Sequence, residues 1–397
     1  MNALMIFPPF TSSRDAGGQI QRHFVHGLRK VNSHILCIDS NHKTTSNNVY
    51  QVKENKVWYG IFRLLHRYNW ATTFMVPDQL YFSWKKRATK EAINVVSQNH
   101  IDYIHSVNNP CTSHLIAYQV KKKTGLPWIA QFYDPWHNNP FRRFRCKYSR
   151  AKDAKYEKLI ADKADAILVP NESLAKYWID TYGDTVSNKL HIIPFVTEHP
   201  MGDFHSSTKG DKLVVSHIGT LSKERNSIDF IQAVSQLVDE LPIFRDKIQV
   251  NYIGSVSEEE IQLIRDLHLC DIFNIVGTLN EQQCKMYYEE SSLFLIVDIN
   301  VTPNVFYPSK MLKYFCYKKP ILAIVTAEST VEEEMRKTKN YAFKYGDING
   351  IKEFLAKALV DYKSIANNDC EYWRRFMIEN VEKQYMQIVN KILKQYE

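Results

Sequence analysis

Positive and glycine residues that follow a buried strand are suited to binding a phosphate-bearing ligand. The strand predicted at 213–217 leads into Gly219, Thr220, Lys223 and Arg225. A glycine lets the backbone approach a ligand closely, and a guanidinium can bind two phosphate oxygens at once. A solvated basic loop has the same composition, so the motif taken alone leaves both interpretations open.

A second cation stands where a helix is predicted to begin. Pro308 and Ser309 are residues that favour a helix entry, so Lys310 is expected in the first turn. A cation is unfavourable at that end of the helix dipole unless an anion compensates it. This local conflict predicts that Lys310 faces a bound anion.

The first half of the chain offers two further candidates at predicted strand ends. Gly17 and Gly18 fall in a predicted loop before a helix, where paired glycines and free N–H groups could hold a phosphate, although most such loops are simple turns. Asp134 ends a predicted strand and could orient a hydroxyl or act as a base. An aspartate before a proline, here Pro135, is also a common turn former.

Short apolar runs alternate with amphipathic stretches along both halves of the chain, which is the pattern of buried parallel strands joined by helices. Strands are predicted at 3–7, 34–38, 103–107, 128–132, 166–169, 190–193, 213–217, 249–254, 273–277, 293–297 and 320–325. Helices are predicted at 19–31, 112–123, 156–164, 227–237, 258–267, 281–289 and 310–317. We therefore expect an α/β protein with two Rossmann-like domains, each a doubly wound parallel sheet, that face a cleft where the ligand binds.

The 397 residues exceed what one hydrophobic core usually holds, which is about 250–300 residues. The predicted first domain is 1–197, and a polar linker with Pro, Gly and Ser follows at 198–210. The second domain is predicted at 211–371. The tail, 372–397, is expected to be a helix that packs back toward the first domain.

The net charge of +8 is distributed unevenly: residues 1–200 carry 27 Lys and Arg against 15 Asp and Glu, a net +12, and the remainder carries −4. Basic and aromatic residues interleave at 58–70 and 141–150. Such segments suit an anionic membrane surface or single-stranded nucleic acid, but solvated helices have the same pattern.

The cysteine and motif content excludes several classes of protein. Seven cysteines without a C-x-x-C spacing indicate reduced thiols in a cytoplasmic protein. No apolar run approaches the ~20 residues of a membrane-spanning helix, and the N-terminus does not have the pattern of a signal peptide. The 14 histidines form no convincing metal site, and neither a P-loop nor a G-x-G-x-x-G fingerprint is present.

The order of several short motifs resembles the family-4 glycosyltransferases, which have the GT-B fold. The motifs are Gly17-Gly18, Pro77-Asp78 with Trp84, Asp102 through Pro110 to Ser113-His114, Pro127-Trp128, Asp134-Pro135-Trp136, Gly219-Thr220 with Arg225, Gly254, Gly277-Thr278, and Pro308-Ser309-Lys310 with Lys319-Pro320. The resemblance implies sugar transfer from a nucleotide diphospho-sugar, typically with retention of configuration. The second domain would bind this donor, which is a substrate, so that no cofactor and no metal are expected.

The resemblance also implies roles for individual residues. Gly219, Arg225 and Lys310 would face the diphosphate, Gly277-Thr278 would lie near the nucleobase, and Gly17-Gly18 would lie near the phosphates or the acceptor. The family usually carries two acidic residues eight positions apart in the donor loop. This chain has Val305 and Lys313 at those positions, which leaves the contacts to the ribose and to the donor sugar unassigned.

The function expected from these observations is a glycosyltransferase that acts in the cytoplasm, peripherally at the inner membrane face. Its partners would be the nucleotide-sugar donor, a glycan or lipid-linked acceptor and an anionic membrane surface, rather than nucleic acid. One alternative is a nucleotide-sugar epimerase of the same fold. The other is a catalytically inactive protein that binds a membrane or nucleic acid.

Overall fold

The computed structural model describes residues 1–8, 10, 16–38, 48–67, 78, 80–142, 146–196, 212–365 and 372–397. The chain forms two compact units. The first consists of Met1–Glu198 and Phe376–Glu397, and the second consists of His199–Arg375. The predicted linker at 198–210 lies outside the described residues.

The first unit alternates strands and helices and ends with a long helix from the C-terminus of the chain. Its elements are β1 (Asn2–Ile6), α1 (Ala16–Gly27), β2 (Asn32–Cys37), β3 (Val49–Gln51), α2 (Lys56–Arg67), α3 (Leu80–Ser83), α4 (Lys85–Gln98), β4 (Tyr103–Val107), α5 (Thr112–Thr124), β5 (Trp128–Gln131), a 3-10 turn (Pro140–Arg142), α6 (Lys147–Lys163), β6 (Ala166–Val169), α7 (Glu172–Tyr182), α8 (Asp184–Ser187), β7 (Leu190–Ile192) and the terminal helix, α15 (Ile378–Leu393).

The second unit repeats the alternation. Its elements are β8 (Leu213–Ile218), α9 (Ile228–Glu240), a 3-10 turn (Pro242–Lys247), β9 (Ile248–Ile253), α10 (Glu258–Asp266), β10 (Phe273–Gly277), α11 (Glu281–Glu290), β11 (Leu293–Val297), α12 (Lys310–Cys316), β12 (Ile321–Val325), α13 (Thr330–Lys337), β13 (Tyr341–Lys344), α14 (Ile348–Val360) and two 3-10 turns (Tyr362–Ile365 and Tyr372–Phe376).

Each unit has one parallel sheet, with strand orders β3-β2-β1-β4-β5-β6-β7 and β10-β9-β8-β11-β12-β13. Central strands such as Leu293–Val297 are apolar and buried throughout, because helices cover both faces of such a sheet. The strand order reverses between β1 and β4 and between β8 and β11. Ligands of doubly wound sheets bind beyond the carboxyl ends of the strands at this switch point. The predicted fold class is thus confirmed.

Glycines allow close packing of the loops at the carboxyl edge of the second sheet. The N–H of Gly219 donates to Ile253 O at 2.7 Å, and the N–H of Gly254 donates to Gly277 O at 2.8 Å. Gly219 and Gly254 have φ of +142° and +131°, and a Cβ on Gly254 would lie 2.2 Å from Gly219 O. Only glycine fits this position of the chain without displacing the neighbouring backbone.

The first helix starts earlier than the sequence predicts. The prediction placed Gly17 and Gly18 in a loop before a helix at 19–31, but α1 begins at Ala16 and ends at Gly27. Both glycines therefore lie in its first turn. Glycine has a low intrinsic helix propensity. The sequence pattern therefore predicted that the helix begins after the two glycines.

The terminal helix α15 places a tyrosine in the core of the first unit. The Tyr385 hydroxyl lies 2.9 Å from His105 Nδ1 and 3.1 Å from the hydroxyl of Tyr103. The Nε2 of His105 lies 3.0 Å from Gln131 Oε1, and burial lowers the pKa of this histidine to about 3. His105 is consequently a neutral core residue.

Two buried carboxylates on α6 hold the chain that follows β5. Glu157 accepts hydrogen bonds from the N–H groups of Trp136 and His137, both at 2.8 Å, and from two tyrosine hydroxyls. Asp153 binds the indole of Trp136 and the guanidinium of Arg142. The sequence grouped Arg142 with cations for an anionic surface; this interpretation is wrong for Arg142, because its charge is paired inside the unit.

Glu157→Ala is expected to lower the free energy of unfolding by about 3 kcal/mol, because it leaves two buried N–H groups without acceptors. Urea denaturation followed by circular dichroism measures this loss. Lys158→Ala is the matched control on the same helix, since the Lys158–Asp162 pair is exposed. An exposed pair of this kind contributes less than about 1 kcal/mol. Equal unfolding midpoints for Glu157→Ala and the control would contradict the prediction.

Candidate active site

Two loops flank the switch point of the second sheet, and they are joined to each other. The loop after β8 turns back at Ser222 and Arg225, which exchange backbone hydrogen bonds of 2.9 Å. The loop after β11 contacts it through the N–H of Asn300, which donates to Glu224 O at 2.7 Å. Residues that are far apart in sequence thereby form one side-chain cluster.

Lys310 is held by a buried histidine at the centre of this cluster. His217 Nδ1 lies 3.0 Å from the carbonyl oxygen of Leu295, which can only accept, so the proton of the neutral ring is on Nδ1. Its Nε2 then accepts from the ammonium of Lys310 at 3.0 Å. Burial and the charge of Lys310 lower the pKa of His217 well below its usual value, which keeps the ring in this form.

Gly219 and Arg225 complete the cationic part of the cluster. A Cβ on Gly219 would lie 3.1 Å from Lys310 Nζ, so the glycine leaves room beside the ammonium. Burial, and then the positive charge of Arg225, lower the pKa of Lys310 well below its usual value. The Nε of Arg225 is buried without a hydrogen-bond partner. A buried, unpaired donor beside a second cation is an arrangement that an anion would satisfy.

Asp298 is the carboxylate of this cluster, and the sequence did not identify it. It follows β11 directly, accepts from Asn304 Nδ2 at 2.8 Å and also binds the N–H of Ile299. Burial raises its pKa to about 6, while these hydrogen bonds and the charge of Arg225 oppose the shift. Asp298 therefore fixes the loop toward Asn304 and offsets part of the cationic charge.

The other predicted donor-site residues of the second unit lie around this cluster or along the same edge. Thr220 is exposed and its hydroxyl lies 3.4 Å from Ser255 Oγ, and Lys223 is exposed. Gly254 contacts the Gly219 backbone, Gly277 ends the edge strand β10 and Thr278 follows it. Pro308 is buried before α12, whereas the Ser309 side chain forms no capping hydrogen bond.

The positions where the family usually has acidic residues have other contacts here. Val305 is buried. Lys313 forms an ion pair with Glu281 of α11. A carboxylate from the neighbouring helix α11 thus contacts α12 at Lys313.

In the first unit, Asp134 lies beyond the carboxyl end of β5. Its Oδ2 accepts from Asn109 Nδ2 at 2.8 Å, and the backbone carbonyl of Asp134 accepts from Asn108 Nδ2 at 2.8 Å. Burial raises the pKa of Asp134 to about 6, and the hydrogen bond from Asn109 opposes this shift. The group can therefore change its charge near neutral pH. Gly17 and Gly18 lie in the first turn of α1 in the same unit.

Sequence reasoning missed His217, Asp298 and Asn109. His217 lies inside the strand predicted at 213–217, so the sequence indicated a buried position for it and no further role. Asp298 follows its strand by one residue, Asn109 by two and Asp134 by three. A polar residue directly after a fully apolar strand was therefore the available signal.

Among the described residues, no group of His, Cys, Asp and Glu is placed to hold a metal ion. Over the same part of the chain, no helix is both long and apolar enough to cross a bilayer.

Comparisons with known proteins give a match to one family model and alignments to solved structures. The sequence profile of Glycosyltransferase Family 4 matches residues 63–195. The Anabaena protein Alr3699/HepE in complex with UDP aligns with a TM-score of 0.68 at 11% identity, over 98% of this chain and 100% of that chain. In complex with UDP-glucose it aligns with a TM-score of 0.66. No curated protein matches the chain in sequence.

Two further solved structures are similar over nearly their whole length. A glycosyltransferase from Rickettsia africae aligns with a TM-score of 0.69 at 11% identity, over 99% of this chain and 98% of that chain. The lipopolysaccharide outer core galactosyltransferase WaaB aligns with a TM-score of 0.63 at 11% identity, over 98% and 99%. Together with the two parallel-sheet units, these alignments show that the chain has the GT-B fold of glycosyltransferases, and residues 63–195 match the family-4 model.

Proposed function

We propose that the enzyme transfers a sugar from a nucleoside diphospho-sugar, and that Lys310 and Arg225 bind the diphosphate of this donor. The observation that carries the proposal is the unpaired, buried Nε of Arg225 beside an ammonium whose partner is a neutral histidine. Burial and the charge of Arg225 disfavour the protonated form of Lys310, so the cluster lacks a negative charge close to this amine. A diphosphate would supply the missing negative charge and acceptor oxygens.

This arrangement would act on the bond that breaks. Negative charge develops on the diphosphate as the bond between the sugar and its phosphate oxygen lengthens. Fixed cations stabilise that charge more strongly in a partly buried site than in water. The Gly219 position leaves space for phosphate oxygens to approach the ammonium of Lys310.

The solved relatives favour the same donor class. HepE has been solved with UDP and with UDP-glucose, so a UDP-sugar is the first donor to test. Lys223, Thr220 and Gly254 border the proposed diphosphate position, and Gly277-Thr278 would lie toward the nucleobase. We propose retention of configuration, as is typical of the family.

In the first unit we propose that Asp134 orients the acceptor hydroxyl, with Gly17 and Gly18 near the acceptor or the phosphates. The carboxylate is held by an amide donor, Asn109, and its raised pKa suits a group that accepts a proton or a hydrogen bond near neutral pH. The acceptor would be a glycan or a lipid-linked glycan, reached at the cytoplasmic face of a membrane.

Donor binding is tested by thermal denaturation with UDP, UDP-sugars and other nucleotides. A ligand present at about 100 times its Kd adds about 2.7 kcal/mol to the stability of the native state. The expected result is a rise in Tm with a nucleoside diphosphate and a smaller rise with the monophosphate. No shift with any nucleoside diphosphate or diphospho-sugar would refute the proposed donor site.

Arg225→Ala and Lys310→Ala are each expected to lower kcat by about 10²-fold, since each removes a charge that stabilises the leaving group. Sugar transfer followed by release of nucleoside diphosphate measures this effect. Lys285→Ala is the matched control in the same unit, because Lys285 is exposed and pairs along its own helix with Glu289. Turnover within threefold or so of wild type in both site variants would contradict the assignment.

Asp134 is expected to set the acid limb of the pH profile. Its raised pKa means that the carboxyl is protonated below about pH 6 and ionised above it. At saturating donor, kcat/KM for the acceptor should therefore fall as the pH drops through 6. Asp134→Asn should abolish this dependence and reduce the rate at neutral pH. Asp298 titrates in the same range, so Asp298→Asn is the control. This variant should keep the fall in kcat/KM below pH 6. If the fall disappeared in Asp298→Asn, the titration would belong to Asp298.

A further inference from the structure

We propose that helix α2 is a membrane-docking element that lies flat in the surface of an anionic bilayer. We define the α2 face as Val57, Trp58, Ile61 and Leu64, together with Phe82 of α3. The proposal deepens the lipid-linked acceptor of the proposed function, but vesicle binding is measured independently of sugar transfer.

The residue order gives α2 two chemically different sides. At about 100° per residue, Leu64, Val57, Ile61, Leu65, Trp58 and Phe62 occupy one arc of about 160°. Lys56 and Arg63 lie on the opposite side. A helix with an apolar arc, an aromatic residue and basic residues on the other side has the composition of an interfacial helix.

The structure leaves much of the apolar arc exposed. Val57 is 69% exposed and Leu64 58%, and Ile61 and Trp58 are near 40%. The Trp58 ring stacks on Phe82 at 5.1 Å, and Phe82 is itself 44% exposed. A contiguous exposed apolar surface of this kind marks an interaction site. Phe62 and Leu65, at the other end of the arc, are partly buried.

The charges around the α2 face select the partner. Residues 53–91 contain eight Lys and Arg but three acidic residues. Lys53, Lys86 and Arg87 are exposed, whereas the carboxylate of Glu54 accepts a hydrogen bond from Ser83. Each basic residue beside a bilayer with anionic lipids strengthens the attraction to that bilayer. The apolar arc and the cations therefore favour the same surface.

Other occupants fit less well. A second copy of the α2 face would bring two sets of positive charges together, which costs free energy. Single-stranded nucleic acid would use aromatic stacking, but Val57, Ile61 and Leu64 are aliphatic. With 12 residues the helix is about 18 Å long, which is too short to span a bilayer and leaves the interfacial position.

Sedimentation of the full chain with vesicles tests the proposal. Vesicles of phosphatidylcholine alone are compared with vesicles that also contain phosphatidylglycerol, at low and high salt. We expect binding to the anionic vesicles that weakens with salt. The double substitution Ile61→Ser with Leu64→Ser should lower the partition coefficient at least about tenfold, because two apolar side chains no longer enter the interface. Lys56→Glu should lower it about fivefold or more.

Ile243→Ser is the matched control, because Ile243 is 70% exposed but lies in the second unit. It should bind vesicles like wild type. Absence of binding to anionic vesicles, or equal binding by the Ile61/Leu64 variant, would overturn the proposal. The proposal would also be overturned if the protein self-associated or bound single-stranded RNA, and the Ile61/Leu64 variant lost that binding but kept its binding to vesicles. The variant should keep the wild-type Tm and its stabilisation by nucleoside diphosphate. If the wild-type protein bound vesicles but no nucleoside diphosphate, the proposed function would be refuted and the membrane proposal would stand.

Discussion

The contact between Lys310 and His217 is the constraint on which the loops at the switch point of the second unit depend. An ammonium that is partly removed from water is costly unless a neighbour accepts its hydrogen bond. His217 can accept only because its other nitrogen donates to the Leu295 carbonyl of the adjacent strand. The position of the cation is thus set by the pairing of two central strands, and the side chain itself has little freedom.

The backbone around this contact follows from the same requirement for space. Gly219 lies against the ammonium, and Gly254 lies against the carbonyl of Gly219. A side chain at either position would push on the cation directly or through the intervening loop. The parallel order β9-β8-β11 makes this possible, since it brings the carboxyl ends of three strands to one edge. Sequence positions separated by about ninety residues then act on the same few atoms.

Apolar periodicity predicted the sheet strands well because burial on both faces leaves no alternative to continuous apolar runs. The fully buried strands Tyr103–Val107, Ala166–Val169 and Leu293–Val297 were predicted with their observed bounds. The partly exposed edge strand Phe273–Gly277 was also predicted with its observed bounds. Helix α4 was missed, since its first turn is basic and the apolar residues it buries are small alanines and one valine. The sequence singled out Lys310 because its charge conflicts with its place at the start of a helix, and its role at a site stays a prediction. It did not single out His217 and Asp298, because their contacts depend on partners that only the fold brings near.

The net charge of the second half differs in sign from the charge of its buried cluster around Lys310. The second half carries −4 overall, yet it contains the cationic cluster. Arg225 and Lys310 are partly buried. The carboxylates of this half are largely exposed or paired elsewhere, as in the Lys313–Glu281 pair. Exposed charges are screened within about 8 Å at physiological ionic strength, whereas buried ones act at close range in a weakly screening medium. The first half carries +12, and much of that excess is exposed, where it acts on extended surfaces. Total charge therefore predicts which half can approach an anionic surface, and only the arrangement of individual buried groups predicts where a small anion binds.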